Sequence, residues 1–361
     1  MLLREHERAF FTDRSEILAD LHHNAELTQQ GKGTNLVLVG QQRIGKTMLA
    51  QRFADDLCEC HSPVVPVYFD VAQNLFVPSV FAIRLLACIG RSFIEADGRQ
   101  VEQSGGVLDA ASLLSLVDQT REETLVATAR RVTREMEKDR PDERLLLETT
   151  LSCLEQTAQH TGRKPLVILD EFHNVTQLDS FPRVKDTLSV MGQTLSQQTS
   201  VGYIAASSNI RKVERILQSA TSPLSDQFQV LPVPPFDRAA TAEFCQKSLP
   251  AHLLTQEAVA RLFEFTSGHP FYLNCLTTAM RRLDADSVHL WNQPGGDVLD
   301  RAVHEEILTR EGRICQYCQH RVAMALAEAR GKTTLRSVLL VLAEEGKANL
   351  SQISARLKRA P

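Results

Sequence analysis

Residues 35–47 constrain this chain more than any other stretch. They read Asn-Leu-Val-Leu-Val-Gly-Gln-Gln-Arg-Ile-Gly-Lys-Thr: an apolar run from Leu36 to Val39, then Gly40, four residues, and Gly45-Lys46-Thr47. The order G-x-x-x-x-G-K-[ST] is the P-loop pattern, and its context is right, with a strand before and a helix after. Glycines let the backbone wrap a phosphate chain where a Cβ would clash or forbid the turn. Successive N–H groups then point inward, and the following helix adds the positive end of its dipole. Gly40, Gln41, Gln42, Arg43, Ile44, Gly45, Lys46, Thr47 and Met48 are therefore the candidate phosphate cradle. Lys46 is placed to reach β- and γ-phosphates, and the Thr47 hydroxyl to ligate Mg²⁺. Met48, Leu49, Phe53 and Leu57 give the helix behind the loop its apolar face.

The 361 residues exceed one small core, so two or three domains are expected. Net charge is −4, with 40 basic and 44 acidic residues, and no chain-wide basic excess advertises a nucleic-acid binder. Residues 1–14 are charged throughout and do not read as a signal peptide. No apolar run approaches ~20 residues, so no membrane contact is expected. The eight cysteines sit mostly in apolar helical patterns, which favours a reducing cytoplasm over a disulfide framework. Cys315-x-x-Cys318 with His320 has a spacing that can hold zinc, but no second ligand pair accompanies it, and two helix-borne thiols are the default reading.

Along the chain, Asp13-Arg14-Ser15-Glu16 resembles a capping box, with Asp13 at the N-cap and Ile17, Leu18, Leu21 and Ala25 following at helical spacing. A second strand is expected over residues 64–70, where Pro66 argues for an edge position or a bulge. Residues 76–160 carry only helical patterns, interrupted at Gly105-Gly106. The mixed charges of residues 130–138 read as a solvated helix face. Leu166-Val167-Ile168-Leu169 is a strand buried on both faces, and it ends in Asp170-Glu171. Two carboxylates there stand where an open α/β sheet puts its chemistry. This is a Walker B pattern, with Asp170 to hold Mg²⁺ and Glu171 to orient and deprotonate a water. A helix is expected from 182 to 197, then a buried strand over 200–206 ending in Ser207-Ser208-Asn209. Ser208 or Asn209 at that tip can report a γ-phosphate, and Asn209 is the candidate taken; a plain strand-to-helix cap serves either residue equally well. A last strand covers 228–233, and Pro234-Pro235 marks a boundary. Helices follow over 239–248, 255–265, 271–283, 298–310, 316–329, 334–344 and 350–357, with a polar linker at 292–297.

In that order, the motifs of residues 9–283 resemble the archaeal-ATPase-like branch of the AAA+/STAND P-loop ATPases, kin of origin-recognition ATPases. The resemblance rests on Phe11-Thr12-Asp13-Arg14, the P-loop, Tyr68-Phe69-Asp70, the Walker B strand, residues 206–209, Ser222-Pro223-Leu224, Pro235-Phe236 and Gly268-His269-Pro270. It implies a five-stranded parallel sheet in order 5-1-4-3-2 with helices on both faces, so an α/β P-loop core over 1–235. A helical lid over 236–292 is implied as well, with a long helical layer over 70–165 inside the core. It further implies that ATP with Mg²⁺ binds at the junction of sheet and lid. Arg14, Pro235, His269 and Pro270 then contribute to the nucleotide site, His269 reaching toward the phosphates.

One departure bears on activity. Relatives often carry an arginine finger shortly after Ser-Pro-Leu, whereas Asp226-Gln227 stand there; Arg211 and Arg215 are the available substitutes. A finger is worth about 10³–10⁵ in rate, so slow hydrolysis is expected. Residues 337–357 look like the opening of a winged helix within a C-terminal module over 298–361. The leading reading is an ATP-driven switch in a DNA-associated process, forming an ATP-dependent homo-oligomer. Two others stand beside it: a weakly hydrolysing DNA-binding or assembly scaffold, and a STAND-type sensor answering a protein effector.

Overall fold

The computed structural model describes residues 2–60, 62–74, 77–101, 109–181, 186–287 and 297–357. It divides into two compact units, Met1–Glu243 and Phe244–Pro361.

The first unit begins with helices α1 (Glu5–Phe10) and α2 (Ser15–Gln29), followed by β1 (Leu36–Val39), α3 (Lys46–Glu59) and β2 (Val64–Asp70). Four helices then follow, with no strand between them among the described residues: α4 (Pro78–Ala96), α5 (Ala110–Asp118), α6 (Glu123–Met136) and α7 (Glu143–Thr161). Next come β3 (Lys164–Asp170), a 3₁₀ segment (Phe172–Ser180), α8 (Thr187–Gln197), β4 (Gly202–Ser207), α9 (Ile210–Gln218) and β5 (Gln229–Pro232). Helix α10 (Arg238–Ser248) spans the boundary of the units.

All four strand pairings are parallel, and the spatial order is β2-β3-β4-β1-β5, as the resemblance implies. Side chains alternate between the faces because the strand period is two. Val167, Leu169, Tyr203 and Ala205 join the larger core with α4 to α8, while Leu166, Ile168, Ile204 and Ala206 join α2 and α3 on the other face. Double coverage is why β3 is an unbroken apolar run. Pro66 lies in β2, whose only partner among the described residues is β3, so the edge reading holds and no N–H is lost from an inner ladder. In a parallel sheet every strand ends on the same edge, so the loops after β1, β2, β3 and β4 are brought together.

Three local expectations are corrected. Asp13 does not cap α2: Arg14 is the N-cap, in a left-handed conformation and without a side-chain cap bond. The reciprocal bond of a capping box is found one helix earlier, where the Glu7 carboxylate accepts Arg4 N–H at 2.9 Å at the start of α1, a helix that the pattern did not signal. The helix expected from 182 begins at Thr187, capped by Asp186, and residues 182–185 lie outside the described residues. The Phe172–Ser180 segment is 3₁₀-helical where no helix was expected, and its apolar Phe172, Val175 and Leu178 are buried.

The second unit is helical: a 3₁₀ turn (Ala251–Leu253), α11 (Gln256–Thr266), α12 (Pro270–Ser287), α13 (Val298–Val303), a π-helical turn (His304–Leu308), α14 (Arg313–Glu328), α15 (Lys332–Glu345) and α16 (Leu350–Leu357). The single helix expected over 298–310 is thus two segments ending at Leu308. Most of the linker at 292–297 and Gly105-Gly106 lie outside the described residues. No described helix is long and apolar enough to cross a membrane.

Candidate functional site

The loop after β1 has the geometry its glycines require. A Cβ on Gly40 would stand 2.5 Å from the Val233 carbonyl oxygen, so only glycine lets the loop pass the end of β5. Gly45 sits at φ +102°, where nothing crowds a Cβ but the backbone itself disfavours one. Lys46 opens α3 and is 4% exposed; its Nζ donates to Gly40 O at 3.0 Å and Gln41 O at 2.7 Å. Burial lowers the Lys46 pKa, while Glu171 and Asp170 act to raise it, so the ammonium faces both carboxylates. Gln41, Arg43 and Thr47 are exposed, and Gln42 and Met48 half-buried. Ile44 is buried in the core beneath the loop and anchors it.

Arg14 joins this loop. Its guanidinium donates to Ile44 O at 3.3 Å and stacks 4.8 Å from the centre of the Phe236 ring. Phe236 is buried beside exposed Pro235, so the structure brings Arg14, the residues after β5 and the P-loop into one place. Phe236, next to the expected Pro235, supplies the ring that meets Arg14. Asp13, Arg14, Arg43 and Glu171 are four of the eight described non-glycine residues at positive φ, so backbone strain gathers at this edge.

Across the sheet, Asp170 Oδ2 accepts the Tyr68 hydroxyl at 2.9 Å and Oδ1 accepts Glu171 N–H at 2.9 Å. Burial and then Asp170 push the Tyr68 pKa far up, so the hydroxyl stays a donor. Glu171 leaves the strand at φ +48°, and its Oε2 accepts the Ser208 hydroxyl at 2.8 Å. His173 Nδ1 stands 2.8 Å from Ser207 Oγ and 3.3 Å from Glu171 Oε2. Asn209 Oδ1 accepts Lys212 N–H at 3.1 Å and caps α9, one of the two roles expected at this tip, while the Ser208 hydroxyl reaches Glu171 Oε2. Tyr68, Ser207 and His173 were not among the expected site residues. Tyr68 and Ser207 belong to quoted motifs, which were the available signal; nothing in the sequence marked His173.

His269 and Pro270 belong to the second unit. Gly268 turns at φ +72°, His269 N–H bonds Thr266 O at 3.0 Å, and Pro270 opens α12 at a position where no N–H is needed. The His269 ring is buried and lies 4.6 Å from that of Tyr272.

A glycine-bounded loop, a buried ammonium and two strand-end carboxylates can hold a polyphosphate and a divalent cation. The sequence model for an ATPase domain predominantly from Archaea matches residues 11–276. The chain belongs to this family. Among solved structures, a Walker-type ATPase of Pyrococcus abyssi is 16% identical at a TM-score of 0.54, covering 96% of this chain and 88% of that one. The ORC2 protein of Aeropyrum pernix, in ADPNP–ADP complexes, is 14% identical at a TM-score of 0.54, covering 97% and 82%. These likenesses speak for the fold. No curated protein matches significantly. The donor set of this family member fits Mg-ATP: Thr47 is exposed at the mouth of α3, and Asp170 and Lys46 complete the charges.

Proposed function

We propose that the chain binds Mg-ATP at the strand ends and works as a nucleotide-dependent switch that hydrolyses ATP slowly. One observation carries the reading: Lys46 lies within electrostatic reach of Asp170 and Glu171 at the C-terminal edge of a parallel sheet, and the tip of β4 holds Glu171. Lys46 exchanges its two carbonyl acceptors for β- and γ-phosphate oxygens, and the loop N–H groups take the remaining charge. Thr47 and Asp170 would hold Mg²⁺, which would neutralise charge on those oxygens. Glu171 takes the proton of a water aligned with the γ-phosphorus.

Slow turnover follows from residue 227. Gln227 carries no charge, and its Nε2 donates to Pro223 O at 2.9 Å and Gly192 O at 3.3 Å, so its amide serves the subunit's own backbone. The DNA-associated role and the ATP-dependent homo-oligomer rest on the resemblance to origin-recognition ATPases; molecular size with and without ATP, on and off DNA, tests both. The hydrolytic reading is tested by Glu171→Gln. Binding of a fluorescent ATP analogue should persist while turnover falls by about 10²-fold or more, the scale of general-base catalysis. Wild-type turnover in that variant sinks the mechanism.

A further inference from the structure

Glu171 is gripped through one of its two carboxylate oxygens. Ser208 donates its hydroxyl to Oε2 at 2.8 Å, and its N–H points to the same oxygen at 3.4 Å. His173 Nδ1 stands 3.3 Å from that oxygen, while Ser207 Oγ, 2.8 Å from Nδ1, already accepts Asn209 N–H at 3.2 Å. The His173 side chain is 10% exposed and Ser207 fully buried, so the ring has fixed neighbours. The ring's hydrogen bond is the one to Ser207, and its direction depends on the tautomer; with the proton on Nδ1 the imidazole donates to Ser207 Oγ and turns the positive N–H edge toward Glu171 Oε2. Burial holds the ring neutral, since it lowers the His173 pKa against the pull of Glu171.

We propose that His173 and Ser208 are positioning residues for Glu171: their donors fix Oε2 and leave Oε1 to meet the water. The inference rests on the proposed role of Glu171 as base. In the step, the water proton passes to Oε1 as the water oxygen bonds the γ-phosphorus. The bond from phosphorus to the β,γ-bridging oxygen breaks, and that oxygen leaves with the electron pair on ADP. The grip matters because Glu171 stands on a left-handed residue at a strand end, where the backbone alone does not aim a three-torsion side chain.

Replacing His173 separates aim from packing. Asn at this position carries an amide nitrogen near the place of Nδ1, Gln carries one near Nε2, and Leu fills volume without a donor. His173→Leu and His173→Gln should lower kcat about 10- to 100-fold, the penalty of a misaimed reacting group, with KM changed less than about twofold. His173→Asn should recover most of that loss. Equal losses in the Asn and Leu variants, or none in either, overturn the inference. If Glu171→Gln loses turnover and His173→Leu keeps it, the base reading stands and only the inference fails. If Glu171→Gln keeps turnover, both fail. Independently of turnover, ¹⁵N spectra of labelled imidazoles, assigned by the resonance missing in His173→Asn, should show His173 protonated on Nδ1. A proton on Nε2 overturns the proposal.

Discussion

Tyr68 donates its hydroxyl to Asp170 Oδ2 at 2.9 Å, linking neighbouring strands two positions out of register. Gln51 Nε2 lies 3.4 Å from the same hydroxyl, so α3, β2 and β3 meet at one oxygen. A carboxylate that must hold Mg²⁺ is aimed by its outer hydrogen bonds, and loss of such a partner typically weakens metal binding about 10- to 100-fold. Tyr68→Phe should therefore raise the Mg²⁺ concentration for half-maximal turnover by about tenfold, with a stability loss of only about 1 kcal/mol. A Mg²⁺ titration of ATP turnover checks it, and an unchanged midpoint counts against the role of Asp170.

Lys46→Ala should abolish ATP binding without harming the apo fold. Two charge-assisted hydrogen bonds to phosphate, at about 1.5–3 kcal/mol each, correspond to a loss of about 100-fold or more in affinity. In the free protein the same ammonium is buried and its pKa lowered by that burial, so its removal relieves a desolvated charge. Titration with a fluorescent ATP analogue and a thermal melt without nucleotide should show lost binding beside an undiminished midpoint.

The sheet and the P-loop were legible because each leaves a one-dimensional mark. Leu166 to Leu169 are apolar without a break since both faces are covered, and Pro66 announced an edge. The grip on Glu171 left no such mark. It depends on the register that brings Ser208 beside a turn 37 residues earlier, and on a left-handed φ that a glutamate rarely adopts. The choice between Ser208 and Asn209 was open for the same reason: both are short polar residues at a strand tip, and only the start of α9 decides which one becomes the cap. The mistaken cap at Asp13 arose because Asp13-x-x-Glu16 satisfies the spacing, while two consecutive left-handed residues shift the true start of α2 by one position.

The two P-loop glycines should fail differently. In Gly40→Ala the new Cβ meets the Val233 carbonyl at 2.5 Å, where backbone must move, and overpacking of this kind costs about 1–3 kcal/mol. In Gly45→Ala the space is open and only the φ of +102° is penalised, so the loop can relax locally. Chemical denaturation should show the larger stability loss in Gly40→Ala. Nucleotide titration should show Gly45→Ala losing affinity out of proportion to its stability. Equal stability losses would contradict the different origins.

The buried histidine gives the native state a pH dependence whose sign is fixed. Burial lowers the His173 pKa below its ordinary value; Glu171 opposes this, and Lys212 and Lys46 add to it. The unfolded chain then binds more protons than the native state in the window below about pH 6.5, so stability rises with pH there and is lost as pH falls. His173→Asn removes that titration and keeps a donor near Nδ1. Other acidic and basic groups are common to both proteins and cancel in the difference. Denaturant unfolding between about pH 8 and pH 5 should therefore show the wild type losing stability relative to His173→Asn only below about 6.5. A difference that stays flat across the range would mean that His173 titrates in the folded protein as it does in the unfolded chain.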